Sequence, residues 1–341
     1  MRPRASTVAL LFFFAATFLF FSLFAPRFAS AGNMENLMSG FSFLAIVAIG
    51  QSFPILVRGI DLSVGAIVAL SGMVTFDLSL IIGLPGYVVI PLALLTATLA
   101  GAVNGALVVF LRLPPFIATL ATLAAYRGLV YSISGRQLVP SLSTTPIRDP
   151  WITGLETYFD IGTLTGLSSI IRMPWFPLSF VIMLGLFVMF QVLLVATRFG
   201  RDVYAVGGNR DAARLAAVNV GGVTIAAFAI SGFCAGVAAL LLVARLTTST
   251  EQLGMGMELT AIAAAVIGGV SLQGGTGTVS GPVLGAFLLG VVLLGLTLLG
   301  ISQFVQQILT GVILLAAVVA DRLMYLRRRA RFAATLASVD A

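Results

Sequence analysis

The sequence predicts an all-α protein that crosses a membrane about ten times, with both termini on the inner side. Three observations predict this fold class. First, 59% of the 341 residues are hydrophobic and only 9% are charged, whereas a soluble domain carries about 25% charged residues. Second, the apolar residues form runs of about 20, the length of a helix that crosses the hydrocarbon core. Third, the arginines are concentrated in alternate connections between these runs.

The apolar runs divide the whole chain, residues 1–341, into a single transmembrane domain. The first run resembles a signal peptide, with Arg2 and Arg4 before it and a small-residue sequence, residues 29–31, after it. Its apolar core is longer than the 7–15 residues of a signal, so we expect it to be retained as a span. The ten predicted spans are 8–25, 37–57, 62–83, 87–111, 114–134, 176–196, 223–245, 258–273, 279–299 and 302–321.

The distribution of arginine predicts the orientation. With the N-terminus inside, inner segments carry thirteen arginines and outer segments carry five. Positive residues favour the inner side of a membrane. We therefore expect the polar connection 197–222 and the tail 322–341 to be cytoplasmic, and the connection 135–175 to be external. The arginine-rich tail follows the last span, which favours contact with anionic headgroups over binding of nucleic acid.

The missing residue types exclude most catalytic chemistry. The chain has no His, and all 19 basic residues are Arg. Without Lys there is no phosphate-loop lysine or Schiff base, and without His there is no Ser–His relay or histidine metal site. Cys234 is the one cysteine and cannot form a disulfide within the chain. We expect no metal and no cofactor bound by this chain, and any energy for transport must come from a partner or an ion gradient.

Five polar residues at membrane depth are candidates for lining a polar pathway: Asp61, Ser63, Asn104, Thr119 and Arg127. Asp61 can instead cap the third span by accepting from the N–H of Ser63 or Val64, with Arg58 as a possible ionic partner in either case. Asn104 and Thr119 are also typical of hydrogen bonds between helices. Arg127 lies deep in the fifth span. Its side chain either faces the bundle interior or extends along the helix to reach the outer headgroups.

Pairs of glycines at GxxxG spacing predict close helix contacts. They are Gly101 and Gly105, Gly232 and Gly236, and Gly281 and Gly285. The run 274–277 is also glycine-rich, but without Lys or a GxGxxG spacing it predicts a tight turn between packed helices rather than a phosphate-binding loop.

The polar connection 197–222 predicts a short helix. Asn209 is a suitable N-cap, Asp211 suits a first turn, and the helix should extend to Val218 before Gly221 and Gly222 end it. This geometry favours insertion into a cleft on another protein; the alternative is a loop that lies on its own bundle. The predicted contact residues are Asn209, Arg210, Asp211, Ala212, Ala213, Arg214, Leu215 and Val218, with Ala212, Leu215 and Val218 as the apolar face.

Four segments together resemble a known family. They are GIDLSVG at 59–65, the segments 113–135 and 197–222, and MELTAIAAAVIGGVSLQGGTGTVSG at 257–281. In this order and spacing they resemble the membrane permease subunits of bacterial sugar ABC importers, of the ribose type, and are most similar to galactofuranose importer permeases. The external connection and both termini match least.

The resemblance implies a location and a set of partners. Two permease chains, identical or different, would pair in the bacterial inner membrane, with two cytoplasmic ATPase subunits below and a periplasmic sugar-binding protein above. ATP binding and hydrolysis by the partners would drive alternating access, and the helix from Asn209 would be the coupling helix. From its residues alone, the connection 135–175 is either a folded external cap or a docking surface for an external soluble protein.

Three alternatives remain at this point. A permease for branched-chain amino acids has similar motifs, although the wording of 59–65 and 207–220 favours sugar. A gradient-driven transporter would need buried carboxylates, for which only Asp61, Asp77 and Glu258 are candidates. A membrane enzyme is disfavoured by the absence of His and Lys.

Overall fold

The computed structural model describes residues 5–135, 146–159 and 176–339, and most of these residues are helical. Most of the connection 135–175, which the sequence places outside, lies beyond the described residues. The helices are α1 (Ala5–Phe24), α2 (Ala31–Leu56), α3 (Val64–Phe76), α4 (Gly86–Phe110), α5 (Pro115–Ser134), α6 (Pro150–Thr153), α7 (Leu178–Ala196), α8 (Arg198–Gly208), α9 (Arg210–Leu215), α10 (Val220–Leu246), α11 (Met257–Ile267), α12 (Ser280–Leu298) and α13 (Gln303–Val339).

Shorter elements complete the described chain. A π-helical turn, Asp77–Ile81, continues α3, and a 3-10 turn, Gly154–Glu156, follows α6. The strands β1 (Tyr158–Phe159) and β2 (Phe176–Pro177) pair antiparallel over two residues each. The prediction of an all-α membrane protein is confirmed, because this small pair of strands is the one sheet among the described residues.

The ten predicted spans correspond to eight long apolar helices and two shorter ones in the described chain. The eight are α2, α3 with its π-turn, α4, α5, α7, α10, α12 and the segment Gln303–Leu323 of α13; the two shorter ones are Val8–Phe24 and α11. The eighth prediction, 258–273, extended too far, since α11 ends at Ile267 before a glycine loop. The tenth prediction, 302–321, agrees with the apolar segment Gln303–Leu323, beyond which α13 continues as a helix to Val339.

Helix α2 lies at the centre of the bundle. Every residue from 42 to 57 is buried, and α2 packs against α10, α11, α12 and α7. By contrast, α5 and α7 expose many large apolar side chains, such as Leu129 and Val188. Such a surface is stable where lipid is the solvent. Helix α1 packs on α12, where the ring of Phe21 lies directly over Gly295.

Two helix crossings depend on the predicted glycine pairs. Where α4 crosses α10, a Cβ on Gly101 would meet the backbone of Phe228 and Gly232, and a Cβ on Gly105 would lie 2.6 Å from Cα of Ile225. Where α11 meets α12, Gly281 packs against the backbone of Gly268. Backbones can approach this closely only where no side chain intervenes. The glycine predictions are therefore confirmed for both crossings.

Candidate functional site

Asp61 is the centre of a buried polar cluster. It lies in the segment 57–63, which interrupts the apolar run between α2 and α3. Its Oδ1 accepts hydrogen bonds from the backbone N of Ser63 at 3.0 Å, from Ser63 Oγ at 2.7 Å and from Asn104 Nδ2 at 3.3 Å. Its Oδ2 accepts from Ser231 Oγ at 3.1 Å. The four side chains, which we call the Asp61 cluster, are all buried. The predicted hydrogen bond from Ser63 N to Asp61 is confirmed, although α3 itself begins at Val64, with Ser63 rather than Asp61 as its N-cap residue.

The cluster fixes the helix break to three neighbouring helices. Asn104 on α4 also donates to Ser63 Oγ at 2.7 Å. Ser231 approaches from α10, and Thr119 on α5 donates to the backbone O of Ile60 at 3.0 Å. Irregular backbone at membrane depth is tolerated only where protein or a cavity satisfies it. Here the surrounding side chains do so, although Oδ1 of Asn104 has no partner among the described residues.

Ser231 is a member of the cluster that the sequence analysis missed. It lies 170 residues from Asp61 in the chain. The sequence nevertheless contained a feature that could have indicated Ser231 as a member. Ser231 directly precedes Gly232, where α10 and α4 cross closely. A small polar residue beside such a crossing faces the partner helix, which here carries Asn104.

Arg58 does not pair with Asp61, so that expectation was wrong. Its Nε donates to the backbone O of Gly207 at 2.6 Å, and its Nη2 donates to the backbone O of Gly208. Arg58 has a positive φ of 62° and is exposed, whereas Asp61 is fully buried. The carboxylate is already satisfied by neutral donors, and the guanidinium joins the end of α8 instead.

Arg127 lies apart from the Asp61 cluster. It is half-buried and donates from Nη1 to the backbone O of Leu253 at 3.2 Å and to that of Glu251. These carbonyls belong to the connection between α10 and α11, which also packs on α3, where Gly254 contacts Val68. The structure thus brings together four of the five predicted pathway residues and separates the fifth. That any of them contacts a solute stays a prediction.

The polar connection 197–222 contains two helices. Asn209 separates them and caps α9, since its Oδ1 accepts from the backbone N of Asp211 at 3.0 Å and of Ala212 at 3.1 Å. The predicted cap is therefore confirmed. The predicted length was wrong: α9 ends at Leu215 rather than Val218, because Ala217 has a positive φ of 59° that breaks the helix. Gly221 and Gly222 lie inside α10 and do not end α9.

The two sides of α9 differ in exposure. Ala213 is buried, while Asp211, Ala212 and Leu215 are exposed, Leu215 to 90%. Val218, which the sequence analysis placed on the same apolar face, packs against the hydrophobic core instead. Because α9 ends at Leu215, Val218 does not continue the helical spacing and does not share the face of Ala212 and Leu215.

Helices α8 and α9 are attached to the bundle at the end of α2. Arg210 Nη2 donates to the backbone O of Val57 at 2.9 Å. The glycine loop 274–277 lies beside this contact: Gly275 N donates to the backbone O of Leu56 at 2.9 Å, and Tyr204 OH donates to the backbone O of Gly277 at 2.8 Å. A Cβ on Gly207 would collide with Leu56 and Gly275. The loop is a tight turn, as predicted, and it also supports α8.

Comparison with known proteins identifies the family. Residues 33–318 match the family described as "Branched-chain amino acid transport system / permease component". The chain belongs to this permease family. It is 36% identical over 302 residues to the ribose import permease protein of Haemophilus influenzae, covering 88% of each chain. It is 37% identical over 313 residues to the L-arabinose transport system permease protein of Escherichia coli, covering 91% of this chain and 88% of the relative.

A third relative, the D-allose transport system permease protein of Escherichia coli, is 36% identical over 306 residues, covering 90% of this chain and 88% of the relative. No solved structure matches the chain. The protein is therefore a multi-pass inner-membrane permease subunit of the sugar ABC importer type, a transporter component. The amino-acid wording belongs to the family description, whereas these three relatives are named for sugars.

Proposed function

We propose that this permease translocates a monosaccharide by alternating access, driven by ATP hydrolysis in partner subunits that contact α9. One observation supports the contact with α9 above all: one face of this helix is exposed, while the helix itself is bonded to the end of α2. Sugar is favoured as the solute because the relatives are named for ribose, D-allose and L-arabinose. Galactofuranose or ribose is the proposed substrate, on the similarity of the sequence motifs. The chain itself would bind no cofactor, and ATP would be used by the partners.

The partner contact would be made by the face of α9 that carries Asp211, Ala212 and Leu215. Leu215 is 90% exposed, and it follows Arg214, whose side chain is also exposed. A single apolar anchor that enters a pocket carries much of the binding energy of an interface. A second permease chain and a periplasmic sugar-binding protein would complete the assembly.

Movement of α9 would reach the Asp61 cluster through direct contacts. Arg210 bonds to Val57, and Arg58 bonds to the end of α8 at Gly207 and Gly208. Val57 and Arg58 begin the same irregular segment that carries Asp61. A displacement of α9 therefore acts on a helix break rather than on a continuous helix, and a break absorbs a change in backbone angles at lower cost.

The proposed solute path involves four residues at the helix break. Asp61, Ser63, Asn104 and Thr119 are buried and bonded to one another or to the helix break. They would line the path only after the break moves. Arg127 would act at a different point, where it holds the connection between α10 and α11.

The substitution Leu215→Asp tests the coupling contact. Loss of an interface anchor of about 2 kcal/mol corresponds to a roughly 30-fold weaker association. We expect sugar uptake and co-purification of the ATPase subunit to fall together, while Leu215→Met retains both. Because Leu215 is exposed, the folded permease should still reach the membrane at normal levels. Normal uptake by Leu215→Asp would refute the assignment of α9.

A further inference from the structure

A cleft with three arginines opens beside α9. It lies between the end of α4, the start of α5, α9 and the start of α10, and has a volume of about 590 Å³. Arg112, from the turn between α4 and α5, lines it together with Arg210 and Arg214 of α9. We call it the arginine cleft.

The positive charge of the cleft is not compensated within the described chain. No Asp or Glu lines it. The guanidinium groups of Arg112 and Arg214 form no hydrogen bond or ion pair with a described residue. Arg210 donates to Val57, but its Nε is buried without a partner among the described residues. Burial lowers the pKa of Arg210, and the positive charges of Arg58 and Arg214 lower it further. An anion would remove this repulsion.

The surroundings of the cleft indicate where such an anion comes from. Its walls include Val108 and Leu113. Large apolar side chains flank it on both sides: Phe110 and Leu111 are 74% and 62% exposed at the end of α4, and Phe116 is 53% exposed at the start of α5. In a membrane protein such side chains lie against hydrocarbon. The cleft therefore lies at the level where spans end and headgroups begin.

We propose that the arginine cleft binds the phosphate headgroup of an anionic phospholipid, with an acyl chain along Val109 and Leu113, which are partly exposed in its wall. Guanidinium groups are well suited to phosphate because their N–H donors match its oxygens in pairs. The walls match a lipid better than free phosphate, which has no apolar part. A partner protein's acidic side chain is the competing occupant, and the test below separates them.

The lipid site and the coupling face use different sides of α9. Arg210 and Arg214 are four residues apart and so lie on one side of the helix. Asp211 and Leu215 are related in the same way and lie about 100° further round. A lipid in the cleft would remove Arg210 and Arg214 from the predicted partner contact, which the exposed face with Asp211 and Leu215 would still make. The lipid proposal therefore does not depend on the coupling assignment.

The test measures lipid retention by the purified full-length permease in detergent, using native mass spectrometry. Phosphatidylglycerol is titrated against phosphatidylcholine. We expect the wild type to retain phosphatidylglycerol selectively. Arg112→Gln and Arg214→Gln should each weaken it about fivefold, since one arginine near a membrane surface contributes about that factor. Arg112→Lys should bind phosphatidylglycerol more tightly than Arg112→Gln but less tightly than the wild type, because it keeps the charge and loses the paired donors. The matched control is Arg201→Gln, an exposed arginine of α8 outside the cleft.

Three outcomes would overturn the proposal. Equal lipid retention by Arg112→Gln, Arg214→Gln and Arg201→Gln would show that the cleft does not select anionic lipid. Displacement of the lipid by excess inorganic phosphate would identify a free-phosphate site. Loss of the co-purified ATPase subunit from Arg112→Gln, with lipid retention unchanged, would assign the cleft to an acidic partner. Misfolding of Arg112→Gln is detected separately by size-exclusion chromatography, because a misfolded variant would no longer elute as a single symmetric peak.

Discussion

The segment 57–63 and helix α9 are both short polar segments in an apolar chain, yet their polar groups are used differently. In the first, Asp61 and Ser63 are fully buried and bonded to side chains of α4 and α10. In the second, Asn209 satisfies only its own helix, and the face with Leu215 remains open. Polarity alone does not separate a structural role from a contact role in such a chain. The two roles are separated by where the hydrogen-bond partners lie: on other helices for the segment 57–63, and within the same helix for α9.

The two segments are also joined, which gives the comparison a functional meaning. Arg58 and Arg210 connect the start of the helix break to the end of α8 and to α9. One segment can therefore maintain the fold while the other receives a signal. Substitutions in each should affect different measurements.

The largest effect on stability should come from Asp61→Ala. It removes four hydrogen bonds, and at about 0.6 kcal/mol each in a membrane bundle the loss is roughly 2–3 kcal/mol. The free energy of unfolding in mixed micelles measures it. Asp77→Ala, in the π-helical turn outside the cluster, is the matched control. Equal stability of the two variants would mean that the Asp61 cluster does not hold the break.

Arg58→Gln should lower the free energy of unfolding less than Asp61→Ala does. Its main effect should be on transport. The two lost bonds to Gly207 and Gly208 lie at an exposed position, so we expect a cost of about 1 kcal/mol. Sugar uptake should nevertheless fall severalfold, because the connection between α8 and the Asp61 segment is broken. Arg201→Gln controls for the charge. Uptake that falls no further than in this control would argue against the connection.

The smallest effect should come from Asn209→Ala, and it should remain local. Loss of an N-cap costs about 1 kcal/mol, which corresponds to roughly fivefold faster hydrogen exchange in α9. Global unfolding should not change, since α9 contributes one buried residue, Ala213, to the core. Asn219→Ala, at the cap of the much longer α10, is the comparison variant. A global loss of stability would place α9 among the structural segments.

Individual residues show which features could be predicted from the sequence and which could not. The apolar spans, the Asn209 cap, the bond from Ser63 N to Asp61 and close helix contacts at the glycine pairs were predictable, because each depends on contacts within a few residues or on a short repeated spacing. The partners of Arg58 and Arg127 were not, because their bonds cross 149 and 126 residues of chain. The end of α9 was also missed, since nothing in its composition marks the positive φ at Ala217.

The sequence by itself determined that this chain is a bundle of membrane-spanning helices. In lipid every backbone polar group must be satisfied internally, so apolar runs of this length have essentially one solution. Only the tertiary structure decided which polar groups meet. Periodicity gives the height and the face of a side chain on its own helix, but not the rotation of that helix against its neighbours. That rotation brought Ser231 to Asp61, turned Arg210 toward Val57, and left Leu215 exposed.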